Sequence, residues 1–517
     1  MQLQKNISNF GLLSAAICGM IGSGWLFGGM IAAKAAGPAA IISWILGGII
    51  VAVIAVTFAE LATMLPVTGG VVRYIHFSHG TVASFSISWL TWLSCVAVAP
   101  TEVSAALRYC NNIWPILFQS NGNGESLTTT GTLAAIALLF IITLLNMTAV
   151  RTTNSILTKI GSWKILVPII TAICLLITKF NSNNFTTMSF APYGTQGILT
   201  AVSSIVIFSF LGFVEAISLA GEAKEPQKAV PITIIGSISI TVLIYTILQI
   251  AFVGSINPHI IADGWHSITF PGEYGPFAGI ATTLGLGALA NLIYADAVIS
   301  PLGTGFAFTA TTARLNYGMS INKYTPQAML NLNKAGIPRN AILFNFIVGI
   351  IILINFHNWE DLIKFQSAAI ILAYATGPIA LIALRKQAPD KDRPFKLSWH
   401  KSACFFGLYF VNLILYWTGW SSIYKLMLGL LVGLGIFFSY RALGTKDFSD
   451  IKPTWWLIFY CLGLSIISYI GSFEGIGILT LGYDFLVIAI FSAVVLKLSY
   501  DGKISPEKTQ AILQKET

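Results

Sequence analysis

Long apolar stretches separated by short polar ones run along the whole chain. They have the roughly 17 to 25 residues that a helix needs to cross hydrocarbon, and about fourteen recur between residues 10 and 498. The first covers 10–36, the second 39–64, the third 81–107, the fifth 156–178, the sixth 197–220, the eighth 279–312 and the tenth 362–384. Each predicts a transmembrane helix, because in hydrocarbon the backbone must satisfy its own hydrogen bonds. Polar loops at 111–131, 255–278 and 311–340 are longer than the others, and the basic stretch RKQAPDKDRPFKLSWHK (385–401) separates the first ten segments from the last four. After Leu498 the pattern predicts only a short polar tail ending in a frayed helix.

Two segments break the apolar pattern. The first contains GMIGSGWLFGG (19–29), and the sixth, GILTAVSSIVIFSFLGFVEAISLA (197–220), has Gly212 among bulky residues and Glu215 three positions on. Glycines at this density fit two arrangements. They interrupt the helix where its freed backbone groups line a cavity, or they form a small-residue face on which another helix packs. Five crossings separate the two segments, so they run in opposite directions, as in a five-plus-five inverted repeat whose first helices are broken near the midplane. The expected divisions are a ten-helix core over 1–400, with repeats at about 10–180 and 197–386, further transmembrane helices over 401–500 and a tail over 501–517.

Composition fixes the environment. Hydrophobic residues make up 55% of the 517 and charged residues 9%, and mean hydropathy is +0.78, so the fold class is all-α and polytopic. The net charge of +9 does not signal nucleic acid, because its placement is one-sided. Lys224, Lys228, Arg314, Lys323, Arg385, Lys386, Lys391, Arg393, Lys396, Lys401, Lys497 and Lys503 fall on one side, against Lys34, Arg108, Lys179, Lys364 and Lys425 on the other. By the positive-inside rule both termini are cytoplasmic, in a cell (inner) membrane. Cys18, Cys95, Cys110, Cys174, Cys404 and Cys461 have no paired spacing or neighbouring histidine ligand, so no disulfide framework or metal site is expected. No cleavable leader fits the long first segment. His76 and His79 lack a companion nucleophile or metal motif, and an enzyme is not expected.

GMIGSGWLFGG is followed by AAGPAAIISWILGGIIVAVIAVTFAELATMLPVTGGVVRYIHFSHG, with Gly37-Pro38, Ala59 to Leu61 and Pro66-x-x-Gly69-Gly70. This resembles the amino acid/polyamine/organocation permeases. FSFLGFVEAISLAGEAKEPQKAVP (208–231) is similar to their sixth span and inner loop, with Lys224-Glu-Pro226 where Lys-Asn-Pro is usual. YADAVISPLGTGFAFTATTARLNYGMS (294–320) resembles the eighth span of a bacterial branch that includes aspartate:proton symporters with fourteen spans. The resemblance implies a LeuT-type repeat with helices 1 and 6 broken and about four extra C-terminal helices. It implies a secondary transporter importing an amino acid, possibly acidic, by proton symport, with the proton as coupling ion, no other cofactor and no obligate protein partner. An exchanger, a polyamine or amine carrier and a transporter-like nutrient sensor are the alternatives.

On that scheme the substrate meets Ile21, Gly22, Ser23 and Gly24 at the first break and Phe208, Ser209, Phe210 and Leu211 at the second. The half-helix starting near Gly24 presents free amides and a positive end to a carboxylate, while carbonyls at 208–211 accept from an ammonium. Ionisable residues within the membrane are the remaining candidates. Glu215 is expected at the substrate or as a proton carrier, or in a fixed ion pair. Asp296 is expected to line the cavity or to be hydrogen-bonded structure. Glu102 is expected as an outer-vestibule charge, and Glu60 as a structural group. The resemblance places Lys164 beside the first span as proton carrier, where sodium-coupled relatives hold sodium; a permanent ion pair is the other role open to it.

Overall fold

The computed structural model describes residues 7–121, 124–147, 150–270, 275–334, 336–355, 359–443 and 454–514. Within them the segments become helices, and one hairpin, β1 (Phe118–Asn121) antiparallel to β2 (Gly124–Leu127), stands in the loop at 111–131. The first segment divides into α1 (Asn9–Met20) and α2 (Ser23–Ala36). Then come α3 (Ala40–Met64), a short connecting helix α4 (Gly70–His79), α5 (Thr81–Cys110), α6 (Thr129–Asn146) and α7 (Val150–Thr178). The sixth segment divides into α8 (Gly194–Ala201) and α9 (Phe213–Ser218), followed by α10 (Pro226–Ser255), α11 (Pro276–Thr283) and α12 (Gly287–Ile321). Next are α13 (Arg339–Asn355), α14 (Trp359–Tyr374), α15 (Thr376–Gln387), α16 (His400–Trp417) and α17 (Trp420–Leu443). The last are α18 (Trp455–Ile470), α19 (Tyr483–Asp501) and α20 (Pro506–Gln514).

Among the described residues nine helices are long and apolar enough to cross a bilayer, ten if the bent pair at 194–218 is one span. The number is below about fourteen partly because α1, α13 and α18 are shorter, and partly because α2 and α3 run almost end to end through 42 residues. A straight helix of that length would reach about 63 Å, twice the hydrocarbon thickness. Gly37, at φ +62°, and the 3-10 turn Gly37–Ala39 divide it. The eighth segment departs from expectation. Gly285, at φ +74°, ends the short α11, and α12 starts at Gly287 and continues to Ile321, absorbing residues assigned to the loop. Apolar side chains such as Ile49, Phe140, Leu243, Leu431 and Ile458 remain exposed on the outer faces, as lipid contact requires.

The two interrupted segments meet back to back. α1 closes with the bond from the Ile21 amide to the Ile17 carbonyl (2.9 Å), and Gly22, at φ −128° and ψ −138°, is non-helical before α2 restarts. The sixth segment passes through a π turn (Val202–Val206) and a 3-10 turn (Phe208–Phe210), bending by 45°. A Cβ on Gly212 would overlap the backbone of Gly19 and Met20, and one on Gly19 would lie 2.9 Å from the Gly212 Cα. Both arrangements of glycine are therefore used: Gly19 and Gly212 let two backbones touch, and Gly22 forms the break.

Both described ends of the chain lie on one face. Ile7 exchanges backbone bonds with Glu222 and Lys224 (3.0 Å each), and the Gly69 amide, just before α4, donates to the Ser218 carbonyl (3.0 Å). The far end returns to α4, so the frayed tail is not what forms. The Ile504 amide donates to the Ser78 carbonyl (3.0 Å), the buried Thr509 hydroxyl donates to the Phe77 carbonyl (3.0 Å), and Gln387 bridges the Ser78 and Ile504 carbonyls (2.9 and 2.7 Å). His79 Nε2 lies 3.0 Å from the Ser499 carbonyl, and burial pushes the His79 imidazole down to about 4. A lowered histidine pKa favours the folded state while the ring is neutral, and that advantage is lost as pH falls from about 6.5 toward 4. Deleting residues 503–517 should lower the unfolding temperature by a few degrees. Acidification from pH 7 to 5 should lower the amide protection factors over 499–514, with exchange corrected for its own slowing in acid, in the intact chain and less so in His79→Gln. Unchanged melting and protection would show that the tail is not latched.

Candidate functional site

The first break leaves the amides at the start of α2 and the carbonyls at the end of α1 without helical partners. Side chains from four other helices meet them. Glu102 of α5, 1% exposed, accepts the Ser23 amide on Oε2 (2.9 Å) and the Ser23 hydroxyl on Oε1 (3.0 Å). This corrects the vestibule placement. α5 is 30 residues long, about 45 Å, so distance from its end in sequence does not give depth in the membrane. On the carbonyl side, Lys164 Nζ of α7 donates to Cys18 (2.8 Å) and to the Thr304 hydroxyl of α12 (2.7 Å), and that hydroxyl in turn donates to the Cys18 carbonyl (2.8 Å). The Tyr245 hydroxyl of α10 donates to the Met20 carbonyl (2.9 Å). At the second break the Tyr374 hydroxyl of α14 donates to the Leu211 carbonyl (3.1 Å).

Between the breaks lies a cavity of about 10 Å³, bounded by Gly22, Gly24, Phe208 and Leu211 from the expected set and by Glu102, Thr304, Met20, Val98 and Phe308 besides. It has room for about one water, where small-molecule sites start near 300 Å³, so loading requires the break to open. Ile21 and Ser23 do not line it: both are fully buried, and Ser23 is turned onto Glu102. Ser209 donates to the Ile205 carbonyl (3.1 Å), and its Oγ would lie 2.6 Å from a Cβ on Gly24. Phe210 is turned away into an aromatic cluster, 6.4 Å from Trp44 and 6.3 Å from Tyr245 between ring centroids.

Glu215 and Asp296 are not brought together. Glu215 accepts from Thr311 and its Cγ would lie 3.0 Å from a Cβ on Gly19. The Asp296 oxygens accept the Trp25 indole (2.8 Å), the Trp163 indole (2.6 Å) and the Ser300 hydroxyl (2.7 Å), tying α2, α7 and α12 together. Thr311 and Asp296 are about 22 Å apart along α12. Beyond Glu215, toward the face holding both chain ends, Arg314 makes a two-pronged, buried ion pair with Glu222. Glu60 accepts from Arg385 (2.7 Å) and from the Leu397 amide (2.8 Å), clasping the linker to α3 as the structural role required. Nothing in the sequence singles out Thr304, Tyr245, Tyr374 or Trp163. Hydroxyl and indole groups are common in membrane helices and cheap there, so their types alone carried no signal.

Broken helices crossing at glycines, with a polar break between them, are the arrangement by which transporter folds build a site. The sequence profile described as amino acid permease matches residues 7–437, and the chain belongs to that family. It is 40% identical over 504 residues to the glutamate/serine transporter AimA of Bacillus subtilis (strain 168), covering 95% of this chain and 93% of that protein. It is 36% identical over 500 residues to the aspartate-proton symporter of the same organism, covering 95% of each. A gamma-aminobutyric acid permease, also from that strain, is 25% identical over 417 residues, 76% of this chain and 82% of the relative. Among solved structures, a manganese transporter of Eremococcus coleocola in complex with an aromatic bis-isothiourea substituted compound superposes with a TM-score of 0.58 at 13% identity, over 96% of this chain and 99% of that one. A histidine-to-alanine mutant of that transporter gives 0.57 at 14% identity, over 95% and 94%. At that identity these two speak for the fold alone. The fold is the LeuT-type helical one, and the chain is a multi-pass membrane protein of a family of amino acid transporters.

Proposed function

We propose that this protein imports an amino acid, acidic or small and hydroxylated, together with a proton by alternating access. The observation that carries the proposal is that the donors of the first break already hold a carboxylate: the Ser23 amide and hydroxyl grip Glu102 at 2.9 and 3.0 Å, at the positive end of α2. A substrate carboxylate needs that donor set, and the carbonyls around 208–211 supply acceptors for its ammonium. Near-full-length relatives named for glutamate, serine and aspartate support the substrate class. The relative named as a proton symporter, and Lys164 on the Cys18 carbonyl, support protons as the coupling ion. The transport core is assigned to residues 1–400, repeats at about 10–180 and 197–386, with the helices after 401 as scaffold, a cell-membrane location and cytoplasmic termini.

A thermal-shift panel of the twenty amino acids on the purified full-length chain tests the substrate class. Glutamate, aspartate or serine should raise the unfolding temperature in proportion to the logarithm of concentration above Kd. Stabilisation by amines or aromatic amino acids alone would contradict it.

A further inference from the structure

We infer that Glu102 is an internal stand-in for the substrate carboxylate, one that holds the empty site shut and is displaced when substrate arrives. The inference rests on the proposed amino acid transport and adds a residue that sets its specificity. Both carboxylate oxygens of Glu102 lie on donors of Ser23. A second carboxylate cannot share them, because like charges a few ångströms apart in a low-dielectric pocket repel strongly. A fixed cap would leave the substrate to find other donors. The pocket wall offers little else: Gly22, Gly24, Phe208 and Leu211 bring no donor side chain, the backbone amides next to Ser23 would set a carboxylate against Glu102, and the Thr304 hydroxyl is already committed to the Cys18 carbonyl. The donors held by Glu102 are thus the ones a substrate must take.

The released side chain has a destination. A Cβ on Gly22 would meet Thr304 Oγ1 and would lie 2.9 Å from Glu102 Oε1, and Lys164 Nζ is 2.7 Å from that same threonine oxygen. Leaving Ser23, the Glu102 carboxylate turns toward the Lys164 ammonium. In doing so it competes with the Cys18 carbonyl for that ammonium, so substrate entry loosens the tie between α7 and the end of α1. A ligand without a carboxylate cannot evict Glu102, which selects amino acids over the corresponding amines.

The test uses purified full-length protein, with L-glutamate, L-serine and ethanolamine as probes, in wild type, Glu102→Gln and Glu102→Asp. Gln is nearly isosteric but uncharged, and Asp is one methylene short of Ser23. Without ligand, both variants should unfold at a lower temperature than wild type. Both should bind whichever amino acid the wild type binds more tightly, Gln by about tenfold and Asp by less, while ethanolamine stays excluded from wild type. Asp carries the test if Gln does not fold. Unchanged or weaker amino acid binding in a folded variant would overturn the inference and leave the transport proposal standing, with Glu102 a fixed cap or the partner of the substrate ammonium. If neither wild type nor any variant binds an amino acid, both fall.

Discussion

Leucine at Gly22 is expected to abolish uptake in a protein that still inserts and remains monodisperse, whereas leucine at Gly212 is expected to prevent folded protein from accumulating. The difference lies in what each new side chain meets. At Gly22 the added atoms run into Thr304 Oγ1 and the Glu102 carboxylate, side chains around a pocket that must open anyway. They fill the space a substrate needs. At Gly212 the obstruction is backbone, the Gly19 carbonyl carbon and Met20 amide, on a helix held by Lys164, Thr304 and Tyr245. Backbone in a packed core cannot step aside, and overpacking commonly costs about 1–3 kcal/mol even where side chains yield. Size-exclusion profiles and radiolabelled uptake in proteoliposomes would separate the two. Normal uptake by Gly22→Leu, or a well-folded Gly212→Leu, would contradict the roles given to these glycines.

Lys164→Ala is expected to reduce accumulation to simple equilibration while amino acid binding survives. Lys164 is fully buried and its ammonium bridges the Cys18 carbonyl and Thr304. A charged lysine in that place holds the end of α1 to α7 and α12; a neutral one holds it less. Moving a proton on and off therefore shifts the balance between two arrangements of the first span, which is what coupling to a proton gradient requires. The alanine variant keeps the Ser23 donors and the Thr304 bond to Cys18 and loses the ammonium toward which a displaced Glu102 turns, so binding weakens without vanishing. Binding by thermal shift, beside uptake under an imposed pH gradient, distinguishes coupling from recognition. Uphill uptake by the variant would move coupling to Glu215, held by Thr311, or to Asp296, held by two indoles.

Much of the scaffold was legible because lipid allows few solutions. An apolar run of about 20 residues has to be a helix, and the segment limits agree with the helices to within about six residues, the largest gap at the start of α7, except at 279–312, where Gly285 turns the chain. The breaks were legible because glycine and a stranded acid are costly inside a membrane helix. What stayed hidden was depth and direction. Glu102 reads as peripheral only if position along a helix stands for depth, and α5 is too long for that. Phe210 and Asp296 sat in suggestive places, yet sequence does not say that one turns toward Trp44 and the other toward Trp25 and Trp163. The docked tail was invisible because its buried contacts, Thr509 on Phe77 and Ile504 on Ser78, join residues more than 400 positions apart.

The central claim, that a proton gradient drives an amino acid across this membrane through the Ser23 break, is tested most directly by accumulation in proteoliposomes. Vesicles free of internal amino acid, with an inward proton gradient, should concentrate labelled glutamate, aspartate or serine above the external level and lose it when a protonophore is added. Uptake that never exceeds the external concentration, is indifferent to the gradient and appears only when the vesicles are preloaded with amino acid would contradict the claim and identify an exchanger.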